Sequence, residues 1–123
     1  MRTGDREQPR IAAICAVPLL SEAISAVLDE IAEVQSFPAN GRDIGGLLRW
    51  LRPDGIVVDT QKTADDAEAY ARAAGCPLVH VQLPKQQLRV LADGRWKKVR
   101  DASAESIRNA LVGSIYGART VPA

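Results

Sequence analysis

The chain has only two cysteines, Cys15 and Cys76, and neither lies in a C-x-x-C or zinc-ligand spacing. That excludes a disulfide framework and a cysteine-built metal centre, and two buried, reduced thiols are expected. Histidine is scarcer still. His80 stands alone, mid-strand, with no serine or cysteine nucleophile motif beside it, so it reads as a hydrogen-bonded core residue and not as a catalytic base. Glycine-rich phosphate loops are missing, because Gly45-Gly46 falls inside a helical stripe instead of a strand-to-helix turn. No run approaches the roughly 18 apolar residues of a spanning helix, and Met1 to Arg10 are polar without an apolar signal core. No membrane association and a cytoplasmic location are therefore expected.

What is present fits one globular domain: 123 residues, 46% hydrophobic and 25% charged. The net charge of +1 argues against a general nucleic-acid binder, but it is unevenly spread. From Lys85 onward there are eight Lys and Arg against three Asp and Glu, 8 − 3 = +5, and the residues before it carry 8 − 12 = −4. A solvated face is the commoner reading of such an imbalance.

The organising stretch is Pro53 to Thr60. The apolar β-branched run Ile56-Val57-Val58 stops on Asp59, as a buried parallel strand does when it delivers one carboxylate to the carboxyl edge of a sheet, where open α/β folds keep their sites. Around it the chain alternates. Ile11 to Ala16 reads as a strand, and Pro18 opens a helix with the stripe Ile24, Val27, Leu28 and Ile31. Glu33 to Phe37 is a short strand, Pro38 to Gly41 a turn, and Ile44, Leu47, Leu48 and Leu51 mark a second helix, with Gly45-Gly46 tolerated for close packing on the sheet. Trp50 is expected beside the second strand. Thr63 is a good N-cap for a third helix, Ala64 to Ala74, which stops at Gly75, and Pro77 to Leu83 is a fourth strand. Asp65, Asp66 and Glu68 fall in the first turns of that helix, where acids suit the helix dipole better than a metal. The βαβαβαβ order predicts a parallel sheet covered on both faces.

Then the pattern changes. Only Pro84 to Gln87 separate Leu83 from Leu88, too few residues for a parallel crossover. Asp93-Gly94 between Leu88–Leu91 and Arg95–Val99 signals a hairpin, so the sheet is expected to end as an antiparallel meander. Ser103, Glu105 and Ser106 open a last helix with Ile107, Leu111, Ile115 and Tyr116 on one side, ended by Gly117. Residues 1–9 read as a loose lead, 10–117 as the domain and 118–123 as a frayed tail. Trp96 among Arg95, Lys97, Lys98 and Arg100 is the most suggestive exposed feature. It could stack on a nucleobase or anchor an acidic partner. The blander reading has the basic residues guarding a sheet edge and Trp96 packing on the last helix.

Ile11 to Ile24, with its apolar strand running into Pro18-Leu19-Leu20, resembles the opening of a response-regulator receiver domain. Pro53 to Asp59 is similar to that family's third strand and phosphoacceptor aspartate, and Pro77 to Leu83 to its fourth strand. The resemblance covers roughly Arg10 to Leu83. It implies a flavodoxin-like, three-layer α/β/α fold with a mostly parallel receiver-like sheet, in which an antiparallel edge hairpin replaces the fourth helix.

The departures from the family decide the chemistry. On this register Cys15 and Ala16 stand where the resemblance implies an acid pair, Gln82 replaces a Thr or Ser, and no Lys-Pro follows a fifth strand. Neither Cys15 nor Ala16 offers the oxygen ligands that magnesium takes, so no metal, no cofactor and no catalytic residue are expected. The expected function is a non-enzymatic pseudo-receiver in signalling or regulation. It would act through an unidentified protein partner and as a homodimer between Leu88 and Tyr116, with Asp59 a vestigial phosphoacceptor. The candidate interaction surface is Arg95, Trp96, Lys97, Lys98, Leu111 and Ile115. Alternatives are a phosphoacceptor that still uses Asp59, and nucleic-acid binding through the basic hairpin, which the net charge disfavours.

Overall fold

A computed structural model describes residues 8–39 and 43–119, with 104 and 115–119 described as backbone only. The described residues form an α/β fold with six strands and four helices: β1 (Arg10–Cys15), α1 (Pro18–Leu28), β2 (Glu33–Pro38), α2 (Ile44–Leu51), β3 (Gly55–Val58), α3 (Gln61–Ala74), β4 (Leu78–Gln82), β5 (Gln87–Ala92), β6 (Arg95–Val99) and α4 (Ala104–Arg119). They make one mixed sheet in the order β2-β1-β3-β4-β5-β6. The first four strands are parallel, with Ala13 level with Ser36 and Val57, and Val57 level with Val79.

The chain's direction across the sheet explains where the helices go. The step from β1 to β2 runs one way, and the steps through β3 to β4 run the other. Crossovers of one hand therefore place α1 on one face and α2 and α3 on the opposite face. The core divides accordingly. Ile11, Ala13, Cys15, Val57, Val79 and Val81 pack with Ile24 and Leu28 of α1 and with Ile107 and Leu111 of α4. Ala12, Ile14, Ile56, Val58 and Leu78 pack with Ile44, Leu48 and Leu51 of α2 and with the alanine stripe Ala64, Ala67 and Ala71 of α3. Every residue of β3 is buried because both of its edges and both of its faces are covered.

Several local expectations need correction. The N-cap of α3 is Thr60, whose hydroxyl accepts from the Thr63 N–H at 3.2 Å. The helix therefore begins before Thr63, and its first turn holds no acid. Asp65 instead accepts from Gln61, Asp66 pairs with Lys62 at 3.1 Å, and Glu68 pairs with Arg72 at 2.8 Å. The space at Gly46 is taken by the Asp43 side chain, the N-cap of α2, which accepts from the Gly46 N–H at 3.1 Å. At both Gly45 and Gly46 an added Cβ would meet side chains of this helix end, Arg49 and Asp43, and not the sheet, so close packing on the sheet is not the reason for the pair. Trp50 is 76% exposed and does not pack beside β2. α4 continues past Gly117 to Arg119. It starts on a cap in which the Ser103 hydroxyl accepts from the Ser106 N–H, and Asp101 accepts from the Ser103 N–H and the Ser106 hydroxyl. Those bonds to its charged form lower the Asp101 pKa. Part of the expected Pro38 to Gly41 turn, the first seven residues and the last four lie outside the described residues.

As the short link requires, β5 runs antiparallel to β4, with Val79 opposite Val90, and a single 3-10 turn, Leu83–Lys85, joins them. Asp93 (φ 54°) and Gly94 (φ 75°) close the β5–β6 hairpin, the paired left-handed conformations that a two-residue turn of this hand demands.

Candidate functional site

Parallel strands β1, β2, β3 and β4 all end at one edge of the sheet, and that edge gathers Cys15, Ala16, Pro38, Asp59 and Gln82. The Asp59 carboxylate follows β3 directly and reaches across to the β1–α1 loop. Its Oδ1 accepts from the Ala16 N–H at 2.7 Å and its Oδ2 from the Val17 N–H at 2.9 Å. Val17 is the N-cap of α1 and offers no capping side chain. Asp59 instead holds the two N–H groups that precede the first helical residue, from 43 and 42 residues away, and places negative charge near the positive end of α1. Of the two residues expected as an emptied acid pair, Ala16 is thus a place where the backbone meets Asp59, and the other such place is Val17.

A magnesium ion fits this arrangement poorly. Cys15 and Ala16 bring no oxygen ligand, and both Asp59 oxygens are aimed at backbone N–H groups. Among the described residues no group of three His, Cys, Asp or Glu side chains is placed to hold a metal. Cys15 is 5% exposed. Burial, with the nearby Asp59 charge adding to it, outweighs a hydrogen bond with Ser21 and pushes its thiol up to about 12, far from a nucleophile's range. Burial likewise pushes Cys76 up to about 11, with Asp54 adding. At the end of β4, Gln82 Oε1 accepts from Gln87 Nε2 at 2.6 Å and so braces the β4–β5 link.

His80 is buried in β4, opposite Arg89 of β5. Its Nδ1 has no hydrogen-bond partner among the described residues. Burial first and Arg89 second lower its pKa, against opposing pulls from Asp59 and Asp65, so the neutral ring is favoured.

The residues expected to share an interaction surface are not brought together. Trp96 sits on the α2/α3 face and not on the last helix. Its ring lies 4.2 Å from the Arg89 guanidinium carbon and its indole N–H donates to Glu68 at 3.4 Å. Arg72 joins in, donating to Glu68 at 2.8 Å and to the Gly94 carbonyl at 3.0 Å. Glu68, Arg72, Arg89 and Trp96 thereby clamp the hairpin to α3. One ring face of Trp96 is already occupied, which weakens the case for a base-stacking platform. Leu111 is 1% exposed on the other side of the sheet and is a core residue, since α4 covers the α1 face there. Arg95, Lys97 and Lys98 are exposed along β6, and the Ile115 side chain lies outside the described residues.

Sequence reading missed a cleft of about 560 Å³ at the same carboxyl edge, between α1 and the end of β2. Pro18, Pro38 and Ala39 give it apolar walls, and Ser21, Glu22 and Ser36 its polar groups, while the Phe37 side chain packs on the α2/α3 face of the sheet. No motif joins these residues in the sequence; only the parallel pairing of β1 with β2 does. The clamp had a visible trace, the i,i+4 spacing of Glu68 and Arg72.

Comparison with family models, with curated proteins and with solved structures finds no match. No helix among the described residues is long and apolar enough to cross a membrane.

Proposed function

We propose that this chain is a receiver-like regulatory module that works through protein contact and does not transfer phosphate. The observation that carries the reading is the pair of hydrogen bonds that Asp59 accepts from the Ala16 and Val17 N–H groups, at 2.7 and 2.9 Å. A carboxylate that closes a loop in this way is a structural cap. Its occupation of the loop also leaves the transferring group without the cations such chemistry needs. The strand order 2-1-3-4 supports the fold side of the proposal, because it is the doubly wound order in which ligands and sites gather where the winding reverses, between β1 and β3. On this reading the architecture is a three-layer receiver-like one whose fourth helix is replaced by the β5–β6 hairpin, and the protein acts in the cytoplasm.

Protein contact is supported by the placement of exposed apolar side chains. Val17, Leu19 and Leu83 are 38%, 73% and 40% exposed, and all three follow strand ends at the Asp59 edge. The test is incubation with acetyl phosphate and magnesium, followed by intact-mass measurement. An unchanged mass is expected. A phosphoryl adduct that maps to Asp59 would overturn the reading in favour of a working phosphoacceptor.

A further inference from the structure

β6 is the last strand of the sheet, and among the described residues no strand pairs with its outer side. Which backbone groups lie open there follows from the hairpin. A two-residue turn with both residues left-handed is closed by a hydrogen-bonded pair, here Ala92 and Arg95, and bonded and non-bonded pairs then alternate along the ladder. Val90 with Lys97 and Leu88 with Val99 are therefore bonded pairs, and the N–H and C=O groups of Trp96 and Lys98 point outward. Such an edge is a template for one more strand.

The side chains along it are basic on both faces of the sheet. Residues 95–100 hold four Lys and Arg and no acid. Arg95 and Lys97 lie opposite Ala92 and Val90, which pack on the α1/α4 side, whereas Lys98 lies opposite Arg89 on the side of Trp96 and α3. A side chain of an added strand therefore meets a cation whichever way it points. This arrangement selects among occupants. A second copy paired about a two-fold axis would set these cations against themselves, and like charges on facing strands repel. A phosphodiester chain brings acceptors only, to an edge that offers donors and acceptors in alternation, and its charges would reach the cations of one face. An extended peptide complements both kinds of backbone group, and carboxylate side chains complement the charge on both faces.

We infer that the outer edge of β6 docks an extended acidic segment of a partner protein, which pairs with the backbone of Trp96 and Lys98 and sets its carboxylates beside Arg95, Lys97 and Lys98. The lysines that keep copies of this chain apart are the ones that admit this partner. The inference rests on the protein-contact part of the reading above, for which it names the partner's chemistry, and not on the Asp59 cap.

The experiment titrates the full-length, ¹⁵N-labelled protein with a glutamate-rich peptide of about seven residues, acetylated and amidated, with threonine and valine at its centre, long enough to span an ordinary strand. Parallel titrations use the same peptide with lysine for every glutamate, the same peptide N-methylated at consecutive central residues, and an oligothymidylate of equal charge. Saturable amide shifts centred on Trp96 and Lys98 are expected with the acidic peptide, at a dissociation constant of about 0.1–1 mM for so short a segment and weakening as salt is added. The methylated peptide should bind about tenfold more weakly, because it keeps the charge and loses backbone hydrogen bonds. Lys97→Glu, at an exposed position, should weaken the acidic peptide about fivefold with an unchanged melting temperature. The methylated peptide tests the pairing without altering the protein. Equal binding of the lysine peptide, undiminished binding of the methylated one, tighter binding of oligothymidylate at the same residues, or no shift at Trp96 and Lys98 would overturn the inference. A phosphoryl adduct at Asp59 would leave these titrations unchanged, so failure of either reading is seen apart from the other.

Discussion

The two halves of the sheet are held by different means. In the parallel half, the inner strands β1, β3 and β4 are buried along nearly their whole length, His80 being the one buried polar side chain among them, and only the edge strand β2 has no buried residue. Burial from two faces does the stabilising. In the antiparallel half, β6 has only exposed and half-buried positions, and a polar clamp of Glu68, Arg72, Arg89 and Trp96 ties the hairpin to α3. The parallel half resists change because its contacts are many and non-directional. The hairpin depends on a few directed ones, so single substitutions should be felt locally.

The largest expected effect is in the parallel half. Ile56 is fully buried at the middle of the sheet, and Ile56→Ala should cost about 3 kcal/mol, lost side-chain transfer plus an unfilled cavity. Urea denaturation measures it. Trp96→Ala should cost less, about 2 kcal/mol, since the half-buried ring loses packing, its guanidinium contact and a long hydrogen bond. Amide exchange should rise in β6 and at Gly94 while β3 stays protected. Equal loosening of β3 would mean that the two halves are not separable in this way.

The seam between the halves provides two finer tests. His80 has its folded pKa held below the free value of 6.5 by burial and by Arg89. The unfolded chain then binds more protons than the folded one as pH falls below about 6.5, so stability is full above that pH and declines below it. The slope is at most about 1.4 kcal/mol per pH unit. His80→Gln should flatten the decline in a pH series of melts, and an unchanged slope would assign it to other groups. The smallest effect is at the link. Gln86 holds φ 50°, a left-handed conformation that costs a side chain more than it costs glycine, and Gln86→Gly should stabilise the fold by about 0.5 kcal/mol.

The same contrast explains what could be read in the sequence. The strands of the parallel half are short apolar runs bounded by helix stripes, and Asp93-Gly94 announces its hairpin, so element order and the antiparallel ending follow from local pattern. What lies between elements was not legible. Trp96 is one strand turn among basic residues in the sequence, and only the β5–β6 register, with Leu91 opposite Trp96, fixes which face it takes and hence that it meets α3. Asp59 is a visible carboxylate at a strand end. That its oxygens point to the N–H groups of Ala16 and Val17 depends on the pairing of β1 with β3, more than 40 residues apart in the chain. The cleft joins α1 to the end of β2 in the same non-local way.

The central claim is that Asp59 is a cap for the β1–α1 loop. The most direct measurement is the pair of amide resonances of Ala16 and Val17 in ¹⁵N–¹H spectra, recorded with and without millimolar magnesium, in the wild type and in Asp59→Ala. The cap predicts that both resonances ignore magnesium in the wild type and move together, toward the chemical shifts of weakly bonded amides, when the carboxylate is removed. Resonances that respond to magnesium in the wild type, or that stay in place in Asp59→Ala, would contradict it.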